Sequence, residues 1–482
     1  MPLWYKLDVA TLRQGVPLVL LLACASPETE SADAGPPVAR PERKNGKRLQ
    51  FLRWTSTDGT KGPEILRDTE LGIECSWMAV GQDDYRCLPR DRILYYPLRF
   101  RDAACTQLVY TFKRVRTCDE PPGYLYAPAA SLTCPAAFQL SKRGAELPER
   151  AYYHLVSSGG CIKTPVSLAP SETLYAYGER MSTTDFVAGT LHTGSAKKDF
   201  ALTYMDGEDG SSMHFAFRDL KGDFPCLNTL AADGQQRCLP TPLARADVFT
   251  DPGCTAPAAA GFRTSCEMES AFAWRNEPNA CGARQTVLRL GGRLEVAYHD
   301  FSDGCDTGTA APFLHYFDLG DELDPAGFVP VAASVSDGPK RVRSYSVKTP
   351  AGSYTSHLLR DTKLGVDCSI YLLSDGTQRC APNKLGSELN LFSDDLCTMP
   401  VAVGDGADCP VGHAYGSVPD SCPQQLRIYE LEPRFYEGPV HTLVEGACRN
   451  AEVTTYDGSP PVFQPIVREM EPSEFVEFRP PP

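Results

Sequence analysis

From residue 48 onward the chain is a succession of short runs in which apolar and polar side chains alternate, as in Leu49-Gln50-Phe51-Leu52-Arg53-Trp54 and Thr286-Val287-Leu288-Arg289-Leu290. A period of two sends successive side chains to opposite faces of a strand, so each run predicts a half-buried β-strand. The runs are punctuated by Asp58-Gly59, Asp209-Gly210, Asp233-Gly234, Gly291-Gly292 and Asp375-Gly376. Such dipeptides supply the left-handed backbone of tight hairpin turns. No stretch shows the 3.6-residue period of a long amphipathic helix, and the predicted class is all-β.

The cysteines divide this pattern into copies. Of 19, Cys24 stands alone near the N-terminus, and 18 fall into three sets of six. These are Cys75, Cys87, Cys105, Cys118, Cys134, Cys161; Cys226, Cys238, Cys254, Cys266, Cys281, Cys305; and Cys368, Cys380, Cys397, Cys409, Cys422, Cys448. Successive separations are 12, 18, 13, 16, 27, then 12, 16, 12, 15, 24, then 12, 17, 12, 13, 26. Other residues keep step. Asp68, Asp219 and Asp361 lie seven before the first cysteine; Arg86, Arg237 and Arg379 directly precede the second; Asp102, Asp251 and Asp394 lie three before the third. Each copy closes on Phe186-Val187, Phe328-Val329 or Phe475-Val476. The expected organisation is therefore three tandem hairpin-rich β repeats, 48–191, 192–336 and 337–480, each stapled by its own cystines. One closed, propeller-like ring built from the three repeats is the other arrangement the pattern allows. Six cysteines permit 15 pairings per copy, of which the sequential one (first with second, third with fourth, fifth with sixth) is the simplest. Closing a loop of about 12 residues would stabilise by about 3 kcal/mol per bond in the chain-entropy model.

The first 47 residues follow a different logic. Lys6 and Arg13 precede the apolar run Val16–Ala23, the charged and hydrophobic regions of an export signal, and the run is too short to span a bilayer. It ends in Leu21-Leu22-Ala23-Cys24, which resembles the lipobox of bacterial lipoproteins; that resemblance implies removal of residues 1–23 and lipidation of Cys24. Alanine rather than aspartate at position 25 fits sorting to the outer membrane by analogy with the enterobacterial rule. Residues 24–47, rich in Pro, Ser and Glu, read as a disordered tether with a reach of roughly 25–30 Å.

Composition narrows the functional classes. Eighteen regularly spaced cysteines without any C-x₂-C pair point to an oxidising compartment, not to zinc. A net charge of −14 argues against a nucleic-acid partner. The acidity is uneven: the first repeat has 17 basic against 16 acidic residues, the second 11 against 20, the third 13 against 20. The first also holds a basic cluster, Arg86, Arg90, Arg92, Arg99, Arg101, Lys113, Arg114 and Arg116, a candidate surface for anionic head groups or polysaccharide.

Candidate chemistry is sparse. His154, His299 and His441 recur six or seven residues before the sixth cysteine, but no fixed carboxylate accompanies them, so a strand-end structural role is expected. The recurrent aspartates before turns are expected to cap their own backbone. Asp206-Gly207-Glu208-Asp209-Gly210 lacks the ligand spacing of a calcium loop. The arginine before the second cysteine is expected to pair with a repeat aspartate. No nucleophile elbow, zinc-protease motif or phosphate loop is present, and no metal or cofactor is implied.

Lipobox, tether and the motif Asp-Gly-x₂-Arg-Cys-x-Pro followed by Phe-x-Asp-x₂-Cys-Thr together resemble uncharacterised Cys-rich repeat lipoproteins of myxobacteria and their relatives, a likeness that covers most of the chain. It implies an envelope location and transfers no activity. The expected function is a non-catalytic lipoprotein, anchored by lipid in the outer membrane or at the cell surface, that binds envelope polysaccharide or protein or serves as envelope structure. An envelope hydrolase acting on glycan or peptide is the alternative. An inhibitor-type module with a rigid loop between cysteines is a third reading.

Overall fold

The computed structural model describes residues 43–481 apart from internal segments, the longest being 129–137, 156–160, 263–270, 277–283, 308–313, 405–409 and 454–461. Residues 1–42, with the signal segment, Cys24 and most of the tether, lie outside the described residues. The protein is all-β, its only helical elements being single 3₁₀ turns among the described residues.

Each copy divides into two parts. Its first 40 or so residues form two hairpins in sequence. In the first copy these are strands Leu49–Ser56 and Lys61–Asp68, then Ile73–Gly81 and Asp84–Pro89. The second copy has Phe200–Gly207, Ser212–Asp219, Phe224–Leu230 and Gln236–Pro240, and the third Val342–Thr349, Gly352–Asp361, Val366–Leu372 and Gln378–Pro382. The rest of each copy folds into a satellite sheet of seven or eight strands. A 3₁₀ turn, Thr183–Asp185, Pro325–Gly327 or Pro472–Glu474, then returns the chain to its own fourth strand.

That return closes a ring. The closing strands Ala188–Lys197, Ala332–Val335 and Glu477–Arg479 each lie between the fourth strand of their own copy and the first strand of the next. Ala188 pairs with Arg86, Pro330 with Arg237, and Glu477 with Arg379. On the other side, Leu191 pairs with Met205, Ala333 with Val347, and Phe478 with Ser56. The last pair joins the C-terminal end of the chain to the first repeat. A sheet that returns on itself leaves no exposed edge to template aggregation. The three copies thus share one hydrogen-bonded ring, and only their satellite sheets are separate. The proposed repeat boundary at 191/192 falls within the strand Ala188–Lys197.

The side chains show why no copy can close alone. The first cystine of each copy is packed beneath the first two strands: Cys75–Cys87 with Leu49 and Leu66, Cys226–Cys238 with Phe200 and Phe217, Cys368–Cys380 with Val342 and Leu359. Each cluster is completed by a residue of the following copy. These are Met205, Val347 and Trp54, all five positions after the start of their first strands. Phe186, Phe328 and Phe475, directly after the 3₁₀ turns, fill the seam between ring and satellite sheet.

Four expectations are corrected. The first cysteine of each copy bonds the second, as in the sequential order, but the third bonds the sixth and not the fourth: Cys105 with Cys161, Cys254 with Cys305 and Cys397 with Cys448. Cys118 of the first copy bonds Cys422 of the third, 304 residues away, so the staples are not confined to single repeats. Gly291-Gly292 is not a turn but a bulge inside the strand Gln285–Leu294, where a Cβ at Gly291 would lie 3.0 Å from Asp318 Cβ. Lastly, residues 43–47, read as the end of the tether, are held by the ring. Arg43 and Lys44 pair with Met213 and Ser212, and the Lys47 amide donates to the Asp209 carbonyl. The other four predicted turns, at Asp58-Gly59, Asp209-Gly210, Asp233-Gly234 and Asp375-Gly376, do turn hairpins, with the glycines at φ of 79°, 88°, 76° and 75°.

Cys134, Cys266, Cys281 and Cys409 lie outside the described residues. Cys118–Cys422 joins the fourth cysteine of one copy to the fifth of the copy before it in the ring, and sequence register predicts the same rule for these four. Peptide mapping without reduction should therefore find Cys134 linked to Cys266 and Cys281 linked to Cys409, beside Cys118–Cys422. A Cys118–Cys134 or Cys266–Cys281 peptide would contradict the ring.

Candidate functional site

The recurrent polar residues are spent on the fold. Asp68, Asp219 and Asp361 are buried and accept the amides two and three residues on, Glu70 and Leu71, Lys221 and Gly222, Lys363 and Leu364. Arg48 and Arg341 neutralise two of these carboxylates and donate onward to the Asp185 and Glu474 carbonyls in the 3₁₀ turns. Arg86, Arg237 and Arg379 pair with Asp84, Asp233 and Asp375 as the sequence led us to expect, and donate to the carbonyls of Phe186, Phe328 and Phe475. They are struts of the ring seam.

Asp102, Asp251 and Asp394 cap the loop that carries the third cysteine. Each accepts from the threonine four residues on, through both amide and hydroxyl, and from the next amide. The hydrogen bonds hold all three below the ordinary carboxylate range, led by the Thr106 hydroxyl for Asp102, the Ala256 amide for Asp251 and the Thr398 hydroxyl for Asp394. The capped loop places Cys105, Cys254 and Cys397 in the left-handed region, φ 52°, 51° and 54°, from which each reaches its sixth cysteine.

The histidines are not brought together. His154, His299 and His441 lie on separate satellite sheets, His154 beside Thr164, His299 beside Tyr316 and His441 buried. One polar group belongs to the second copy alone: Asp206 accepts from the Ser212 hydroxyl at 2.5 Å and faces His192 Nδ1 at 3.4 Å. The carboxylate stands between serine and histidine, so the histidine does not activate the hydroxyl, as a nucleophile–base pair would require. No group of three or more His, Cys, Asp or Glu is arranged to hold a metal among the described residues.

The junctions between copies carry the remaining polar chemistry. The Asp209 carboxylate reaches from the second copy to the amides of Arg48 and Leu49 in the first and to Ser211 of its own turn. Burial opposes ionisation there, but these hydrogen bonds outweigh it and the carboxyl sits below its usual range. Asp58 does the same between the first copy and the Val342 amide of the third. At the third junction the matching residue is Ala351.

Above Asp58, where the third copy meets the first, lies a cleft of about 410 Å³. Five cations line it, Arg43, Arg53, Lys61, Lys340 and Arg343, with Asp337 as the lining carboxylate. Glu64, beneath them, is 4% exposed and pairs with both Arg43 and Arg53. Lys340 Nζ donates to the Gly59 carbonyl and Arg343 Nε to that of Lys340. Sequence reasoning missed this group because its members are up to 300 positions apart and meet only through ring closure. The basic cluster it favoured is partly consumed: Arg86 by Asp84, Arg101 by Glu149, and Arg99 by Thr111 and the Tyr152 ring.

A model of a family of unknown function (DUF7481) matches residues 129–457, from the first satellite sheet to the third. The chain belongs to this family. No curated protein and no solved structure matches it. Within this DUF7481 chain, seven cystines among the described residues identify an exported protein that folds where thiols are oxidised.

Carboxylates with lowered values stabilise the fold above their unfolded pKa, near 4, and lose that contribution as pH falls through the folded value. The carboxylate contribution to the melting temperature should therefore be flat above about pH 5 and be lost below about pH 4, while burial, which pushes the His413 imidazole down, adds a separate decline that begins as pH falls below about 6.5. Asp209→Asn should cost about 1–3 kcal/mol at neutral pH and make the acid dependence shallower. A variant as stable as the parent at pH 7 would remove Asp209 from the junction.

Proposed function

We propose that the protein is a non-catalytic lipoprotein, attached through lipidated Cys24 to the outer membrane or cell surface, whose ring serves as a scaffold for binding an envelope polysaccharide or protein. The observation that supports binding most directly is the cationic cleft at the junction of the third and first copies. Residues shared by all three copies build turns, seams and cystines, whereas this cleft breaks the repetition. It offers charge and hydrogen-bond donors, the means of recognition. Lipid attachment follows from Leu21-Leu22-Ala23-Cys24 and from the stretch behind it, which contains no aromatic residue between 25 and 42.

Metabolic labelling with a palmitate analogue tests the anchor. The parent chain should incorporate label and sediment with membranes, and Cys24→Ser should do neither. Labelling that persists in Cys24→Ser, or an unlabelled soluble parent, would refute it.

A further inference from the structure

Three of the five cations of the cleft, Lys61, Lys340 and Arg343, are not cancelled by a carboxylate among the described residues. Glu64 serves two arginines at once, and Asp58 directs its carboxylate to Ser56, Thr60 and the Val342 amide. Lys340 and Arg343 donate to backbone carbonyls, which carry no formal charge, and Lys61 is exposed; none of the three forms an ion pair among the described residues. Setting Asp337 and Asp58 against Lys61, Lys340 and Arg343 still leaves an excess of positive charge, in a chain whose net charge is −14.

The repeat supplies an internal control. Strand register equates Leu49, Phe200 and Val342, and equates Asp68, Asp219 and Asp361. Counting from these, the places of Arg53, Lys61 and Arg343 are held by Tyr204, Ser212 and Gln50 at the junction of the second copy with the first. At the remaining junction they are held by Ser346, Tyr354 and Ala201. Three of the five cations are therefore not required by the ring, which closes equally well with neutral residues at those places. Their concentration at one junction calls for a ligand.

The rest of the lining describes that ligand. Ser336, Ser344 and Thr355 contribute hydroxyl groups, no aromatic ring lines the cleft among the described residues, and its volume falls in the range of small-molecule sites. We propose that the cleft binds a hydrophilic, saccharide-sized ligand carrying two or more anionic groups, carboxylate or phosphate. This rests on the binding reading above and names its ligand class. Two envelope sources offer such chemistry, uronate-bearing glycans and phosphorylated sugar head groups. In both, Lys61, Lys340 and Arg343 engage the anions and the hydroxyl side chains meet the sugar.

Calorimetric titration of the oxidised full chain in detergent, at about 50 mM salt to limit screening, tests this with three probes. Trigalacturonate stands for the carboxylate source, glucose 1,6-bisphosphate for the phosphate source and maltotriose for an uncharged sugar. At least one anionic probe should bind and maltotriose should not; which one binds identifies the source. Lys61→Glu with Lys340→Glu should weaken binding about tenfold or more, and Lys61→Gln alone, at an exposed side chain with no ion pair among the described residues, about threefold. Lys163→Glu with Lys384→Glu, outside the cleft, should leave it within about twofold. Failure of both anionic probes, equal binding of maltotriose, or undiminished affinity in both Lys61 variants would overturn the proposal. Palmitate labelling would be unaffected by any of these results, so the anchored reading stands or falls separately.

Discussion

The structure depends on a borrowed side chain. Each copy packs its first cystine under two strands but leaves an opening, and the opening is filled by Met205, Val347 or Trp54 from the copy that follows. A void of that size in a close-packed core costs several kcal/mol, of order 2–5 for a methionine removed to alanine. Three copies that each lack one core residue have a single way to satisfy all three, which is to close a circle. The closing strands, the Phe-Val returns and the arginine struts of the seam are consequences of that arrangement.

Closure explains the division of labour among the polar residues. A carboxylate removed from water must be met by donors, and buried Asp68, Asp219 and Asp361 each find backbone amides within a few residues; the accessible Asp102, Asp251 and Asp394 do the same to cap their loops. These are local devices, repeated because the fold repeats. Function is found where repetition fails. Two junctions carry an aspartate across to the neighbouring copy and one carries Ala351; one junction gathers five cations and the others do not.

What could be read from the sequence follows the same line. Alternation, Asp-Gly turns and the cysteine period are short-range signals, and they specified the all-β class, the repeat number and the pairing of Arg86, Arg237 and Arg379 with nearby aspartates, but not the seam carbonyls these arginines also reach. Sequence distance misled where the fold is non-local. The nearest unpaired cysteine was a poor guide because the capped loop at Asp102 aims Cys105 at Cys161, and because Cys118 finds Cys422 across the ring. Gly291-Gly292 has turn chemistry, yet a neighbouring strand passes so close that the pair serves as a bulge. The cleft was invisible for the same reason, since Lys61 and Lys340 become neighbours only when the circle is complete.

If the three copies are one ring, their first strands must open together. Hydrogen exchange of the amides in Leu49–Ser56, Phe200–Gly207 and Val342–Thr349, followed across a denaturant series, measures this directly. The account predicts that the slowest amides of all three strands converge on one opening free energy with one denaturant slope. Three separate free energies, each with the smaller slope of a single repeat, would show three independent domains and contradict it.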